Sequence, residues 1–285
     1  MPYIGYYINL DRSPDRRAAM EAQLARLNPP ARYRRFPAVD GNPDGVASAR
    51  LSDAEIGCLT SNYLLLQMHR DGASHLHLIE DDAVLANRTV QFVEQIIAMG
   101  LLDDIDVLFT STVLSEKFDA FRDFFRETRK AWRTNITRAD DGTAIDVQYG
   151  FVPYLAGMES YLVNRRSVGL VCDIIQRELE RGAEKPVDVL IRDEAASGKL
   201  RVRCLFPFIT SVLPGAFTST RVPDDDKQLS VFAMELLRHS FFVECDQRAA
   251  LELADQLLSN SNSDSLERLH ARIAGFVTSD AFQAF

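Results

Sequence analysis

Three adjacent carboxylates, Glu80-Asp81-Asp82, close the apolar run that contains Leu76, Leu78 and Ile79. Carboxylates at that spacing repel one another, so the triplet requires either solvent or a cation. Hard divalent ions such as Mg²⁺ or Mn²⁺ take oxygen ligands of this kind, often one or two carboxylates together with ligand phosphates. In extended chain residues 80 and 82 point one way and residue 81 the other. Glu80 and Asp82 are then natural metal co-ligands, and Asp81 is left for another contact. A cation held there would neutralise a departing diphosphate. Two other readings stand beside this one: a solvated acidic turn after a strand, and a phospho-acceptor pocket of the receiver type. The receiver's acidic pair follows the first strand of its fold, whereas this triplet follows two β-α units, and no lysine stands at a matching late strand end.

Other chemistry-bearing residues are fewer. His75 and His77 share one strand face, two residues apart, and read more readily as satisfied core histidines than as ligands. No GxSxG elbow and no glycine-rich phosphate loop is present, which sets aside most hydrolases, kinases and dehydrogenases.

The elements that must position the triplet alternate. Tyr3 to Leu10 is aromatic and β-branched without interior charge, as in a strand buried on both faces of a parallel sheet. Ser13-Pro14-Asp15 opens a helix carrying Met20, Leu24 and Leu27, stopped by Asn28-Pro29-Pro30. A second strand runs from Tyr33 to Val39 and closes at Asp40-Gly41. Ser52-Asp53-Ala54-Glu55 is a capping box, and Ile56, Leu59, Tyr63 and Leu66 give its helix an apolar stripe. His75 to Ile79 is the third strand, followed by a helix over about Thr89 to Met99 and a short strand at Val107 to Phe109. Strands are also expected at Val147–Tyr154, Tyr161–Asn164 and Val202–Ile209, and helices at Ser167–Leu179 and Val187–Ala195. The pattern predicts an α/β fold, a mostly parallel sheet flanked by helices, with ligands at the carboxyl ends of the strands. Residues 1–222 form the main domain, with 115–146 as an insertion or lid. Residues 223–285 form a C-terminal helical appendage whose Phe232, Leu236, Leu237 and Phe241 read as a docking face or a dimer contact rather than a membrane anchor.

At 285 residues and 46% hydrophobic content the chain can bury a full core. The net charge of −9 argues against nucleic acid and against simple docking on anionic lipid, so any phosphate ligand needs a local cation. The scattered Cys58, Cys172, Cys204 and Cys245 read as buried thiols of a reducing compartment. With no leader-like start and no apolar run near the ~18 residues of a membrane span, the expected location is cytoplasmic.

Four segments together resemble glycosyltransferase family 25, the group of lipopolysaccharide-biosynthesis galactosyltransferases and collagen-modifying relatives. They are Tyr7-Ile8-Asn9-Leu10-Asp11-Arg12 with Arg16, Phe36-Pro37-Ala38-Val39-Asp40-Gly41, Leu51-Ser52-Asp53-Ala54-Glu55-Ile56-Gly57-Cys58, and Leu78-Ile79-Glu80-Asp81-Asp82-Ala83. Weaker likeness continues to about residue 220. The resemblance implies a GT-A-type Rossmann-like fold, a UDP-sugar donor, Mn²⁺ or Mg²⁺ at the acidic motif, and inverting transfer to a hydroxyl of a glycan or lipid-linked saccharide. It implies that Glu80 and Asp82 are metal-associated and Asp81 donor-associated. Asn9, Leu10, Asp11 and Arg12 would lie near the nucleotide, Arg16 near its phosphates, as guanidinium chemistry suits, and Asp40 at the base or ribose. The bland alternative for the arginines is an exposed charge at the helix start or a salt bridge to Asp11 or Asp15. An inverting transfer needs a carboxylate base. Asp188 is the first choice, with a helix cap as its plainer role, and Glu159 the second. The chain departs from the family where Ser61-Asn62 replaces Ser-His and where Gly157-Met158-Glu159-Ser160-Tyr161 replaces Gly-Thr-His-Ala-Tyr. Asn62 is therefore a donor-side position whose role has changed, and a catalytically silent nucleotide-sugar-binding relative is the alternative function.

Overall fold

The computed structural model describes residues 3–27, 33–114, 123–124, 126–128, 150–212, 235, 238–239 and 241–245. The elements follow the expected alternation: β1 (Tyr3–Asn9), α1 (Pro14–Arg26), β2 (Tyr33–Pro37), α2 (Asp53–Met68), β3 (His75–Glu80), β4 (Ala83–Leu85), α3 (Thr89–Ala98) and β5 (Val107–Phe109). Then come β6 (Gly150–Val152), β7 (Ser160–Val163), α4 (Val168–Glu180), α5 (Val187–Ala196), β8 (Val202–Phe206) and β9 (Thr210–Val212). The expected insertion at 115–146 lies almost wholly outside the described residues. So do the 222/223 boundary and most of the C-terminal appendage.

Seven strands form one mixed sheet, and β4 and β9 a small second one. Two compact units are present: Met1–Ala83, Asn87–Phe109 and Ala156–Arg203 make the first, and the remaining segments the second. In the first unit the strand order is β2-β1-β3-β7-β5. β1 pairs in parallel with β2 and β3, as two β-α units require. β7 pairs antiparallel with both β3 and β5, so the sheet is mixed beyond its parallel start. This strand enters from the opposite end, which brings its amino-terminal flank to the edge where β3 ends. That edge is where the acidic triplet lies.

Local sequence explains the elements. Ser52 and Glu55 close the capping box of α2 reciprocally. Its buried stripe is Ile56, Leu59, Leu65 and Leu66, and it also takes in the polar Thr60, Ser61 and Asn62, while Tyr63 is only half-buried. Gly57 is required by close approach: a Cβ there would stand 2.6 Å from the Val39 carbonyl oxygen and 2.8 Å from that of Gly41. Helix α2 can thus lie directly on the loop that follows β2, and Ser61 fastens it by accepting from the Val39 amide at 2.8 Å. β8 stops at Phe206, short of the expected Ile209, because Pro207 has no amide hydrogen to give a ladder.

Leu59, Leu65, Leu66, Leu76, Leu78 and Ile79 are all fully buried, each contributing roughly 1.5–3 kcal/mol of hydrophobic stabilisation. One buried charge staples three segments of the first unit. Asp106 accepts from Ser167 Oγ at 2.6 Å, from the Arg201 amide at 2.8 Å and from Arg201 Nη2 at 2.9 Å. Burial pushes this carboxyl up, but the hydrogen bonds from Arg201 and Ser167 outweigh burial and hold it below the usual range.

In the second unit, Thr110 and Thr210 share a hydroxyl hydrogen bond at 2.7 Å, and buried Arg238 donates to Ser111 at 2.8 Å. Phe206, Phe208 and Phe241 form its aromatic core. Among the described residues no helix is long and apolar enough to cross a membrane. None of the four cysteines is in a disulfide; Cys172 and Cys204 are buried as expected, whereas Cys58 and Cys245 are half-buried.

Candidate active site

The register of the first unit builds the site. Ile8 is level with Glu80 in the parallel pair, so β1 and β3 end together and Asn9 stands beside Asp81. Asn9, 1% exposed, donates from Nδ2 to Asp81 Oδ2 at 2.6 Å and to the Ser13 carbonyl at 3.1 Å. Helix α1 begins at the same edge, and its first-turn Arg16 donates to Asp81 Oδ1 at 3.1 Å and lies 3.8 Å from Asp82 Oδ2. On the other side of β3, Ile79 pairs with Ser160, and the Glu80 amide donates to the Glu159 carbonyl at 2.8 Å. An antiparallel strand therefore delivers Glu159 to the carboxyl edge of a parallel one.

The alternation expected across the triplet ends at Glu80, because residues 81 and 82 form a turn. Asp81 is held by Asn9 and Arg16. Asp82 is less well satisfied: its Oδ1 is buried without a hydrogen-bond partner, and its other oxygen faces Arg16 beyond hydrogen-bond length. Burial first, and then the negative charge of Glu159, push the Asp82 carboxyl up to about 6. Glu80 meets α2 instead, accepting from the Cys58 thiol at 3.8 Å. Asn62, on the same helix, donates to the Cys58 carbonyl at 3.0 Å and accepts from the Tyr161 hydroxyl.

Among the described residues no group of three or more His, Cys, Asp or Glu is arranged to hold a metal ion. Asp82 does offer one buried carboxylate oxygen without a hydrogen-bond partner, a donor of the kind a hard divalent cation takes. Asp82 and Glu80 are the candidate ligands from the acidic motif.

The remaining expected residues are placed as follows. Leu10 closes the turn before α1 by accepting from the Ser13 amide at 3.0 Å. Arg12 pairs with Asp40 at 2.7 Å on the exposed surface, so two expected donor residues partner each other rather than Asp11 or Asp15. Asp11 is paired with Arg35. Asp188, in the first turn of α5, accepts from the Val189 amide at 2.8 Å and from the Gly157 amide at 3.3 Å. Gly157 has φ of +93°, a conformation that favours glycine, and this bend turns its amide toward Asp188. Glu178, 7% exposed, shapes the preceding loop by accepting from the amides of Glu184 and Lys185, both at 2.8 Å.

Arg35 is not evident from the motifs, whereas His77 is the satisfied core histidine expected from the sequence. Arg35 donates to the side-chain and backbone oxygens of Asn9 at 2.9 and 3.1 Å, which fixes the Asn9 amide so that its nitrogen faces Asp81. Its signal was the pair of adjacent charges, Arg34-Arg35, in the middle of a strand. His77 is fully buried between Tyr33 at 2.6 Å and Ser160 at 2.9 Å, and burial lowers it to about 3. It is a neutral core histidine directly under the motif.

Asn9, Arg16 and the acidic motif thus gather at the carboxyl ends of β1 and β3, the edge where ligands of such α/β sheets bind. The sequence profile of glycosyltransferase family 25 (LPS biosynthesis protein) matches residues 4–191, so the chain belongs to that family. No curated protein matches it. A solved structure of the galactosyltransferase LgtC, in complex with donor and acceptor sugar analogs, overlaps 98% of this chain and 99% of its own at 10% identity and a TM-score of 0.34. That overlap is too slight to carry any residue's role across.

Proposed function

We propose that this family 25 chain is an inverting, divalent-metal-dependent hexosyltransferase that moves a sugar from a UDP-sugar to a hydroxyl of a glycan or lipopolysaccharide-type acceptor in the cytoplasm. The observation that carries the reading is Asp82, a buried and under-satisfied carboxylate beside Arg16 and Asp81 at the end of β3. A bound Mn²⁺ or Mg²⁺ supplies charge neutralisation for the departing diphosphate. Glu80 and Asp82 would hold that ion, while Asn9 and Arg16 fix Asp81 between them. Leu10, Asp11, Arg12 and Asp40 border the nucleotide. In the transfer, the acceptor oxygen bonds to the anomeric carbon as the bond from that carbon to the phosphate oxygen breaks, its electrons leaving with UDP. The hydroxyl proton passes to a carboxylate, Asp188 first and Glu159 second.

UDP release from UDP-sugars in the presence of Mn²⁺ tests this. Asp82→Ala lowers it at least 100-fold while the protein stays folded; unchanged turnover in that variant removes the metal assignment. A second reading, a nucleotide-sugar-binding relative without transfer, is favoured by one observation: Asn62 is locked between Tyr161 and Cys58. UDP binding without hydrolysis or transfer across a donor panel supports that reading over the first.

A further inference from the structure

Helix α4 passes to α5 through residues 181–186, a connection in which each backbone N–H has an acceptor. Gly182, at φ of +101°, donates to the Leu179 carbonyl at 3.2 Å and Ala183 to the Glu178 carbonyl at 2.9 Å, the paired bonds of a Schellman helix end. The next two amides, of Glu184 and Lys185, both go to Glu178 Oε1 at 2.8 Å. Ala183 lies fully buried at φ of +47°, a left-handed conformation that its Cβ makes costly and that persists only where the surroundings impose it. Ser48 imposes it from one side by donating to the Ala183 carbonyl at 2.8 Å, and Glu178, 7% exposed, from the other. The Lys185–Asp193 pair at 2.7 Å is exposed to solvent and adds little.

This connection leads straight to Asp188. The Asp188 carboxylate accepts from the Gly157 amide at 3.3 Å, and Gly157 begins the bend that leads on to Glu159. A shift of residues 183–186 therefore moves Asp188 directly and, through the Gly157 amide, the segment that carries Glu159 to the acidic motif. Resting on the reading that Asp188 or Glu159 takes the acceptor's proton, we propose that Glu178 is a positioning residue for both carboxylates, acting through the backbone of this turn and the bond from Gly157 to Asp188. The turn requires an acceptor oxygen at the reach of a glutamate and makes no use of its charge. Glu178→Gln keeps that oxygen, with two lone pairs for two amides. Glu178→Asp keeps the charge but withdraws the oxygen by the length of one methylene, which leaves both amides without their acceptor.

Amide hydrogen exchange on the whole chain, with UDP release measured in parallel, tests this on wild type, Glu178→Gln and Glu178→Asp. In Glu178→Asp the Gly157 amide exchanges at least ~10-fold faster while the amides of β1 keep their wild-type rates. Its kcat falls at least ~10-fold with the donor KM within about threefold of wild type. Glu178→Gln stays within about threefold of wild type in both readouts. Unchanged Gly157 exchange in Glu178→Asp overturns the proposal. So does a loss in Glu178→Gln equal to that in Glu178→Asp, since charge would then be the cause. Faster Gly157 exchange in Glu178→Asp with unaltered kcat leaves the positioning in place and removes the reading of Asp188 and Glu159 as the base. Wild type supplies a check free of any variant: the amides of Glu184 and Lys185 must be protected, and exchange of either at open-chain rates overturns the proposal.

Discussion

Single side chains divide between those that hold the site and those that can act in it. Asp188 accepts two backbone amides, which is a helix-start role, and it also lies at the turn that carries Gly157. A residue that only caps the helix affects stability, whereas a base affects the rate. Asp188→Asn keeps one acceptor oxygen, for the shorter bond from the Val189 amide, and removes the basicity, so kcat falls about 10²- to 10⁴-fold while the loss of the longer Gly157 bond lowers the melting temperature only modestly. A melting shift with unaltered kcat contradicts the role. Arg35 acts through Asn9 and is a positioning residue. Arg35→Lys loses the two-pronged hold on Asn9, so UDP affinity falls while the chemical step, measured at saturating donor, changes much less. A kcat loss without an affinity loss runs against it. Asp81 and Asp82 stood out in the sequence as part of a carboxylate run after an apolar strand, whereas Asn9 came only with the family resemblance. Arg35 was not, since its partners come from β1, a long way off in sequence.

At the scale of elements, the early β-α alternation was legible down to single residues, as the capping box of α2 shows. What escaped was direction. Nothing in the residues Ser160 to Val163 states that β7 runs antiparallel to β3, yet that reversal is what brings Glu159 to the motif. Strands β4 and β9 escaped as well, being three residues each and stabilised by pairing rather than by local pattern. Buried polar groups within the elements set the response to acid. His77 in β3 has its ordinary value of 6.5 depressed to about 3 in the folded protein, so its contribution is present above 6.5 and is lost as pH falls from there toward 3. Between pH 7.5 and 4.5 this costs about 2–3 kcal/mol. Urea midpoints at those two pH values should therefore fall less in His77→Gln than in wild type, although the variant starts lower. Equal falls in both proteins would place the acid sensitivity elsewhere. Asp106 is the other test of element docking: Asp106→Ala leaves Arg201 and Ser167 without their shared acceptor and should destabilise by roughly 3 kcal/mol in denaturant unfolding.

At the scale of the whole molecule, the proposed function asks a chain with net charge −9 to bind a donor that is itself anionic. On that proposal the remedy is local, in Arg16 and a divalent ion at Asp82, rather than in any overall basic character. Family 25 membership over residues 4–191 and the gathering of the acidic motif, Asn9 and Arg16 in one unit converge on that edge of the sheet. The most direct test is thermal melting with UDP, with Mn²⁺ or with EDTA, on wild type and Asp82→Ala. A ligand at about 100 times its dissociation constant stabilises the folded state by about 2.7 kcal/mol, which corresponds to a rise of about 5 °C or more. That rise is expected for wild type with UDP and Mn²⁺ together, and is lost with EDTA or in Asp82→Ala. An equal UDP-induced rise with EDTA, or in the variant, would contradict it.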